Sequence, residues 1–424
     1  MTNVTLILPR FSKGMYGFPA PPMSVLYLAS ITPSGFDVKI VDERVETLKY
    51  CKTDLVGINV KTCTSKRAYQ IGDKFRKLGV KVVLGGPHVS ALPSEALKHA
   101  DCVVIGEAES VWKNVLSDFK KGKLKQKYYG KNVSGFSSVN FKYVNMKKYL
   151  LKNVVQTSRG CPMGCDFCTP TNFNGRKIRH RPIKDVIKDI KAMNVKDILY
   201  ICDDNLVGDV VYAKKLFIAL KPLKIKWAAQ ANLNIANYEL LDLAYSSGCR
   251  MLWLGFETVN QFGLDEVGKG YSADKYKKII KKIKNKGIII LGSFVFGLDN
   301  DKKDIFSKTL NFCFNNNIDF VNFLPLVPRP GTPLFDKMLK QRRLLHKDWE
   351  MYEGFNVVYK PKTMSTKFLQ RKIIEINKKF YSNFNIIKRT LSYLGKHSLK
   401  SAILLFVMNI GYKKSIKQKI RLIR

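Results

Sequence analysis

Ser158-Arg159-Gly160-Cys161-Pro162-Met163-Gly164-Cys165-Asp166-Phe167-Cys168-Thr169-Pro170 follows directly on an apolar, strand-like run, Asn153–Thr157. Cys161, Cys165 and Cys168 stand in C-x3-C-x2-C spacing. Iron–sulfur clusters are held by cysteine thiolates. Spacings of three and two let one loop wrap three corners of a cubic [4Fe–4S] cluster, with Gly160 and Gly164 giving its turns their freedom. No fourth cysteine follows at matching spacing, so one iron keeps an open position where chemistry can take place. A structural zinc site needs four cysteine or histidine ligands. The nearest histidine, His180, lies twelve residues past Cys168 and has no paired partner. A disulfide is disfavoured in a chain without marks of secretion.

With Phe167 before the last cysteine, this loop resembles the signature of the radical S-adenosylmethionine (SAM) enzymes. The resemblance implies that SAM binds the open iron through its amino and carboxylate groups. An electron from the cluster then cleaves it to a 5′-deoxyadenosyl radical.

The 424 residues, 46% hydrophobic and 25% charged, suffice for two or three globular domains. The balance of 74 Lys and Arg against 33 Asp and Glu, a formal +41, is unusual. From Lys360 onward 17 basic residues face one acid, Glu375. Such an excess favours an anionic partner, a membrane surface or a nucleic acid, or reflects a general lysine bias. Nine cysteines without regular pairing and an N-terminus lacking a charged-then-apolar leader point to the cytoplasm. The longest apolar run, Ala402–Ile410, falls short of the ~20 residues that span a bilayer.

The pattern along the chain is α/β. Residues 1–130 read as a doubly wound Rossmann-like domain and 131–152 as a linker. Residues 153–345 read as a partial (β/α)6 TIM-type barrel, and 346–424 as a helical, basic C-terminal extension. In the first domain, strands are expected at Val4–Leu8, Val38–Val41, Leu55–Val60, Val82–Leu84 and Cys102–Ile105, with helices at Ser65–Leu78 and Ser110–Lys120. Such sheets bind ligands beyond the carboxyl ends of their strands. There stand Gly17 and Pro22, then Thr62, then Gly85, Gly86 and His88, then Gly106 and Glu107. No G-x-G-x-x-G opens the first helix, which disfavours a dinucleotide. Pro21-Pro22, Tyr27-Leu28-Ala29, Gly-Gly-Pro-His and Gly-Glu-Ala-Glu, ahead of the cysteine loop, together resemble the cobalamin-binding domain of the cobalamin-dependent radical SAM branch. The D-x-H-x-x-G motif that supplies an axial histidine elsewhere is absent. His88 is therefore a pocket residue, not a cobalt ligand.

Barrel strands are expected at Val154–Thr157, Asp197–Cys202, Ile225–Gln230, Met251–Glu257, Ile288–Phe296 and Phe320–Leu326, alternating with helices. In βα barrels chemistry gathers at the carboxyl ends of strands. Those ends carry Asp203-Asp204-Asn205, Gln230 and Glu257, whose carboxylates and amides can bind an amino group and ribose hydroxyls. Gly292 and Gly297 leave room for a flat adenine near the backbone. By resemblance, Asp-Asp-Asn stands where the wider family carries Gly-Gly-Glu for the SAM amine, and Glu257 matches its ribose contact.

Cys168–Asn174, Arg179–Pro182, Asp203–Leu206 and Pro330–Pro333 are similar to the corresponding motifs of hopanoid methylases and their relatives. The resemblance implies an enzyme that uses a [4Fe–4S] cluster, SAM and cobalamin to C-methylate an unactivated carbon of a lipid or natural-product-like substrate. A non-methylating cyclase or rearrangement enzyme of the same branch is the first alternative. An RNA-modifying methylthiotransferase is the second; it needs three further cluster cysteines that Cys51, Cys63 and Cys102 do not supply, so nucleic acid is disfavoured. A protein that only senses or carries cobalamin is opposed by the intact cysteine triad. The expected partners are a small-molecule or lipid substrate and an electron donor such as flavodoxin or ferredoxin. The acid-free segment 386–424, around its apolar stretch, suits either peripheral contact with the inner membrane surface or a helix docked on the barrel.

Overall fold

A computed structural model describes residues 1–11, 19–133, 135–395, 398–421 and 423. The first sheet is built from β1 (Thr2–Leu8), β2 (Phe36–Asp42), β3 (Leu55–Asn59), β4 (Lys81–Gly85), β5 (Cys102–Ile105) and β6 (Lys127–Tyr129). Its order is β2-β1-β3-β4-β5-β6, every pair parallel. Both faces are covered, as an all-parallel sheet requires. Helices α1 (Met23–Ile31) and α5 (Trp112–Lys120) pack one face around Leu6, Val83, Val104 and Trp112. On the other, α2 (Ser65–Lys77) and the short α3 (Pro87–Ala91) and α4 (Pro93–Ala96) surround Val56, Ile58, Val82 and Phe75.

Helix α1, strand β6 and the short α3 and α4 are absent from the sequence reading. Helix α1 is apolar but for Ser24 and Ser30, so it has no continuous polar stripe to betray its period. Strand β6 is three residues long in a lysine-rich stretch, and it forms because the β5 edge offers unpaired backbone. Beyond it, Phe141, Tyr143 and Val144 pack back onto the first domain's core.

The second sheet comprises β7 (Asn153–Val155), β10 (Ile198–Ile201), β11 (Lys226–Ala231), β12 (Cys249–Glu257), β13 (Ile289–Phe296) and β14 (Phe320–Pro325). It runs β14-β13-β12-β11-β10-β7, all parallel and in chain order, an open six-stranded partial barrel. Between β7 and β10 come a ribbon of β8 (Ser158–Arg159) and β9 (Arg179–His180), with α6 (Thr169–Asn174) in its loop, and α7 (Ile183–Ala192). Helices α8 (Val210–Leu220), α9 (Tyr238–Ser246), α10 (Gln261–Glu266), α11 (Tyr276–Asn285), α12 (Ile305–Asn315) and α13 (Pro333–Lys340) follow in turn.

The C-terminal extension is not a separate body. Helices α14 (Thr366–Phe380), α15 (Asn383–Leu394) and α16 (Leu399–Arg421) insert Phe380, Tyr393, Leu405 and Ile416 into the barrel's own core. Ahead of them, Tyr359 donates its hydroxyl to the carbonyl of Gly297, and Trp349 Nε1 reaches Glu95 of the first domain at 3.0 Å. Among the described residues no helix is long and apolar enough to cross a membrane.

A buried ion cluster joins the two sheets. Glu107, after β5, receives Arg159 at 3.2 Å and a bidentate pair from Arg179, while Arg159 also reaches Glu109 at 2.7 Å. Burial works against ionisation of Glu107, but these donors outweigh it and lower its pKa. Removing one partner of a buried pair costs roughly 3–5 kcal/mol because the others are left unpaired. Glu107→Gln should therefore lower the thermal midpoint by several degrees; an unchanged midpoint would show that the two sheets are held by other contacts.

Candidate active site

The cysteine loop is closed at its base by the β8–β9 ribbon, in which Ser158 faces His180 and Arg159 faces Arg179. Gly160 lies at φ +94, where a Cβ would strike the Lys177 carbonyl, so glycine is required. The Cys161 amide donates to Gly175 O at 3.2 Å and the Cys168 amide to Cys165 O at 3.1 Å. Asn205 Nδ2 approaches Cys161 Sγ at 3.5 Å, and Thr171 Oγ1 donates to Cys168 Sγ at 3.2 Å. Phe167 is half-buried against the barrel core.

Burial pushes the Cys165 thiol up to about 11, with the neighbouring cysteines adding to the rise and Lys269 opposing it. Such thiols become thiolates when a cation holds them. Among the described residues no three His, Cys, Asp or Glu groups converge tightly enough for a single metal ion. Three sulfurs spread along one loop, each with a different neighbour, suit a multi-iron cluster, whose ligands sit on separate irons.

The three polar residues after β10 have separate duties. Asp203 is fully buried, accepting from the Thr157 amide at 2.6 Å and from Ser158 Oγ at 2.7 Å, and so ties the end of β10 to the β7–β8 corner. Burial raises its pKa against those bonds. Asp204 accepts from the Gly160 amide at 3.0 Å and Asn174 Nδ2 at 2.8 Å. Asn205 accepts from the Asn232 amide while its nitrogen faces Cys161. Gln230 is exposed on β11, alternating with the buried Ala229 and Ala231, so it faces the open interior of the barrel.

Glu257 ends β12 in a left-handed conformation, φ +64, where the pairing with β13 shifts register. Its carboxylate meets Lys269 Nζ at 2.6 Å. Lys269 sits in a Gly268-Lys269-Gly270 turn with both glycines at φ +65, and a Cβ on Gly268 would stand 3.3 Å from Gly164 O in the cysteine loop. Burial opposes its charge, yet Glu257 and Cys165 beside it raise its pKa. The sequence reading passed over Lys269; a lysine bracketed by glycines soon after strand four was the available signal.

The two barrel glycines do not face this interior. Gly292 lies on the outward face of β13, and the space above its Cα is filled by the rings of Phe256 and Phe294. Gly297, at φ +91, is pressed by Tyr359 and Leu369 of the extension. Each glycine makes room for protein, not for adenine.

On the first domain a cavity of about 450 Å³ opens at the carboxyl ends of the strands. Pro22, Gly85, Gly86, Gly106 and Glu107 line it, as does Lys61. A slot continues downward between the sheet (Leu6, Gly57, Val83, Val104) and helices α1 and α5 (Val25, Leu28, Trp112). Glycine turns at the strand ends and an apolar cleft beside them leave backbone accessible to a large cofactor with a tail, as cobalamin has. Thr62 is buried in a turn where its carbonyl accepts from Ser65 Oγ, and it does not line the cavity. His88 is also absent from the lining. Gly86, at φ +108, turns the chain so that His88 is buried 3.2 Å from Glu95 and 5.5 Å from the Trp349 ring. That makes it a structural histidine. Gly17 lies outside the described residues.

The opposite wall of the same cavity is Arg159, Phe173, Asn174 and Asp204 of the barrel. Asp204 and Asn174 thus touch both the cavity and the cysteine loop.

Residues 155–313 match the radical SAM superfamily, and residues 13–116 match the B12 binding domain. The bacteriochlorophyllide d C-12(1)-methyltransferase of Chlorobaculum tepidum is 30% identical, over 91% of this chain and 88% of that protein. The chain belongs to the cobalamin-dependent radical SAM methyltransferases. Hopanoid C-2 methylase of Rhodopseudomonas palustris is 24% identical over 82% of this chain and 72% of that one. The fold matches that of the cobalamin-dependent SAM radical enzyme OxsB, solved with aqua-cobalamin and SAM bound. The TM-score is 0.70 at 17% identity, covering 98% of this chain and 72% of OxsB. As in the family, the cofactors are a [4Fe–4S] cluster, SAM and cobalamin.

Two outcomes check the cluster assignment. Cys165→Ala should abolish iron loading, and retained iron absorbance would refute the loop as its holder. Asn205→Asp keeps the acceptor for Asn232 but loses the donor to sulfur, so iron should still load while the cluster potential becomes more negative; electron paramagnetic resonance titration reads the shift.

Proposed function

We propose that this enzyme C-methylates an unactivated carbon of a small molecule that enters between the two sheets. One observation carries the reading: a single cavity has the first domain's glycine turns on one wall and residues of the cysteine loop on the other. When bound, the cluster, SAM and cobalamin would supply an electron, a hydrogen-abstracting radical and a methyl group to that one space.

The chain's own residues perform the rest. Cys161, Cys165 and Cys168 would hold the cluster. Lys269, clamped by Glu257, offers a fixed positive charge beside Cys165 that suits the SAM carboxylate. Gln230, in the barrel interior, and Asp204 are the groups placed for polar atoms of SAM.

Arg329 bears on the substrate. It lies in the Pro328–Pro333 loop, where Gly331 packs against Ala91 of the first domain and the Leu334 amide donates to Asp166 O of the cysteine loop. Among the described residues no carboxylate pairs with its guanidinium, and burial lowers its pKa. Glu353, the one acid that acts on its charge, accepts from Asn356 Nδ2 at 2.7 Å. Arg329 is part-buried and in no ion pair, so a substrate with an acidic group suits this place. The relatives named for bacteriochlorophyllide and hopanoid carbons support a broad, largely apolar body for it. We also propose a cytoplasmic enzyme that takes its electron from a donor such as flavodoxin or ferredoxin.

The test is anaerobic purification with iron and cobalamin supplied, followed by dithionite and methyl-deuterated SAM. Expected are cluster and cobalamin absorbance, 5′-deoxyadenosine, and deuterated methyl on carbon of an acidic, apolar substrate. 5′-Deoxyadenosine with a product of unchanged methyl count would overturn methylation in favour of ring formation or rearrangement.

A further inference from the structure

Among the described residues, 21 large apolar side chains are exposed, and nine of them fall between Phe384 and Val407. On α15 they are Phe384, Ile387, Leu391 and Leu394, at spacings of three, four and three, which is one face of a helix. The opposite face buries Ile386, Arg389 and Tyr393. On α16 the exposed set is Leu399, Ile403, Leu404, Phe406 and Val407, while Ala402, Leu405, Asn409 and Ile416 turn inward.

The two helices are antiparallel neighbours. Arg389 Nη2 donates to Asn409 Oδ1 at 2.9 Å, and Lys413 Nζ to Asn383 Oδ1 at 2.5 Å. That register brings Leu391 and Leu394 level with Ile403–Val407, so the stripes adjoin. Their members are 37% to 74% exposed. Monomeric proteins seldom leave apolar patches of this continuity bare. Further along α16 the same outward face continues as Lys414, Lys417 and Arg421, with Lys388 and Lys400 at the patch itself. Residues 383–424 carry ten Lys and Arg and no acid.

We infer that the outer face of the α15–α16 hairpin is a docking surface for an anionic lipid bilayer, lying flat at the headgroup level. The sequence pointed only to the segment around Ala402–Ile410; the face is a two-helix one, and the inner side of the same helices is the docked one. Charge selects the occupant. A second copy would set an acid-free basic surface against itself, a repulsion that grows as water leaves. Lipid headgroups answer the lysines, and acyl chains answer Phe384, Leu391 and Leu404. No span is implied, since neither helix can cross. The inference stands apart from the catalytic reading, because none of these residues lines the cavity.

The full chain is sedimented with vesicles of phosphatidylcholine and phosphatidylglycerol at 3:1, and with pure phosphatidylcholine. Wild type should partition onto the anionic vesicles and leave them as salt rises. A variant with Phe384→Ser, Ile387→Ser, Leu391→Ser and Leu394→Ser should lose roughly tenfold in partition. Lys400→Gln with Lys414→Gln and Lys417→Gln should weaken binding to anionic vesicles alone. Circular dichroism and iron loading report that both variants fold. Wild type remaining in the supernatant at low salt, or binding that the serine variant leaves unchanged, overturns the inference. So does a wild-type dimer in light scattering that the serine variant converts to monomer without any vesicle binding.

Discussion

The carboxylate of Glu107, shared by Arg159 and Arg179, is the constraint on which the arrangement of this protein depends. Arg159 and Arg179 are paired across the ribbon at the base of the cysteine loop, and Glu107 closes β5 of the other sheet. Arg159 is further pinned over the rings of Tyr27 and Phe136, at 4.8 and 4.4 Å. Sliding one sheet past the other would strand three buried charges, each costing several kcal/mol. The separation between the two cofactor surfaces is thereby fixed by electrostatics where neither core reaches.

A second tie acts from the far side. The extension carries Trp349 onto Glu95, which also receives Tyr69 and His88. Burial by itself would raise the pKa of that acid, but the three donors outweigh it and lower the pKa. Further on, Tyr359 closes over Gly297 and the helices α14–α16 complete the barrel's core. The extension is thus a structural part of both halves, and only its outermost face is left for another partner.

The polar residues at the strand ends divide into those spent on architecture and those left for ligands. Asp203 and Glu107 have the composition of ligand-binding groups and are consumed by internal donors. Lys61, on the cavity wall, and Arg329, near Cys168 of the cysteine loop, are in no ion pair among the described residues. A charge that the protein leaves without a counter-ion beside a ligand cavity is one that a cofactor or substrate can answer.

Resemblance to a known family implied SAM and cobalamin; the residues by themselves determined the cluster loop, the two βα series and most strand positions. These rest on local spacing and period, which survive without tertiary knowledge: three cysteines in one loop, and apolar runs that need burial on both faces. Tertiary structure decided which way each side chain turned. Gly292 and the adenine expected over it, His88 and the pocket, and Thr62 and the cofactor were all placed correctly along the chain but on the wrong face. A strand alternates its faces and a turn at positive φ redirects the next residue, so neighbours in sequence part company in space. Tertiary contact also hid Lys269 beside Cys165, which are far apart in the chain, and the apolar stripe of α15 beside that of α16, which only the register of their hairpin aligns.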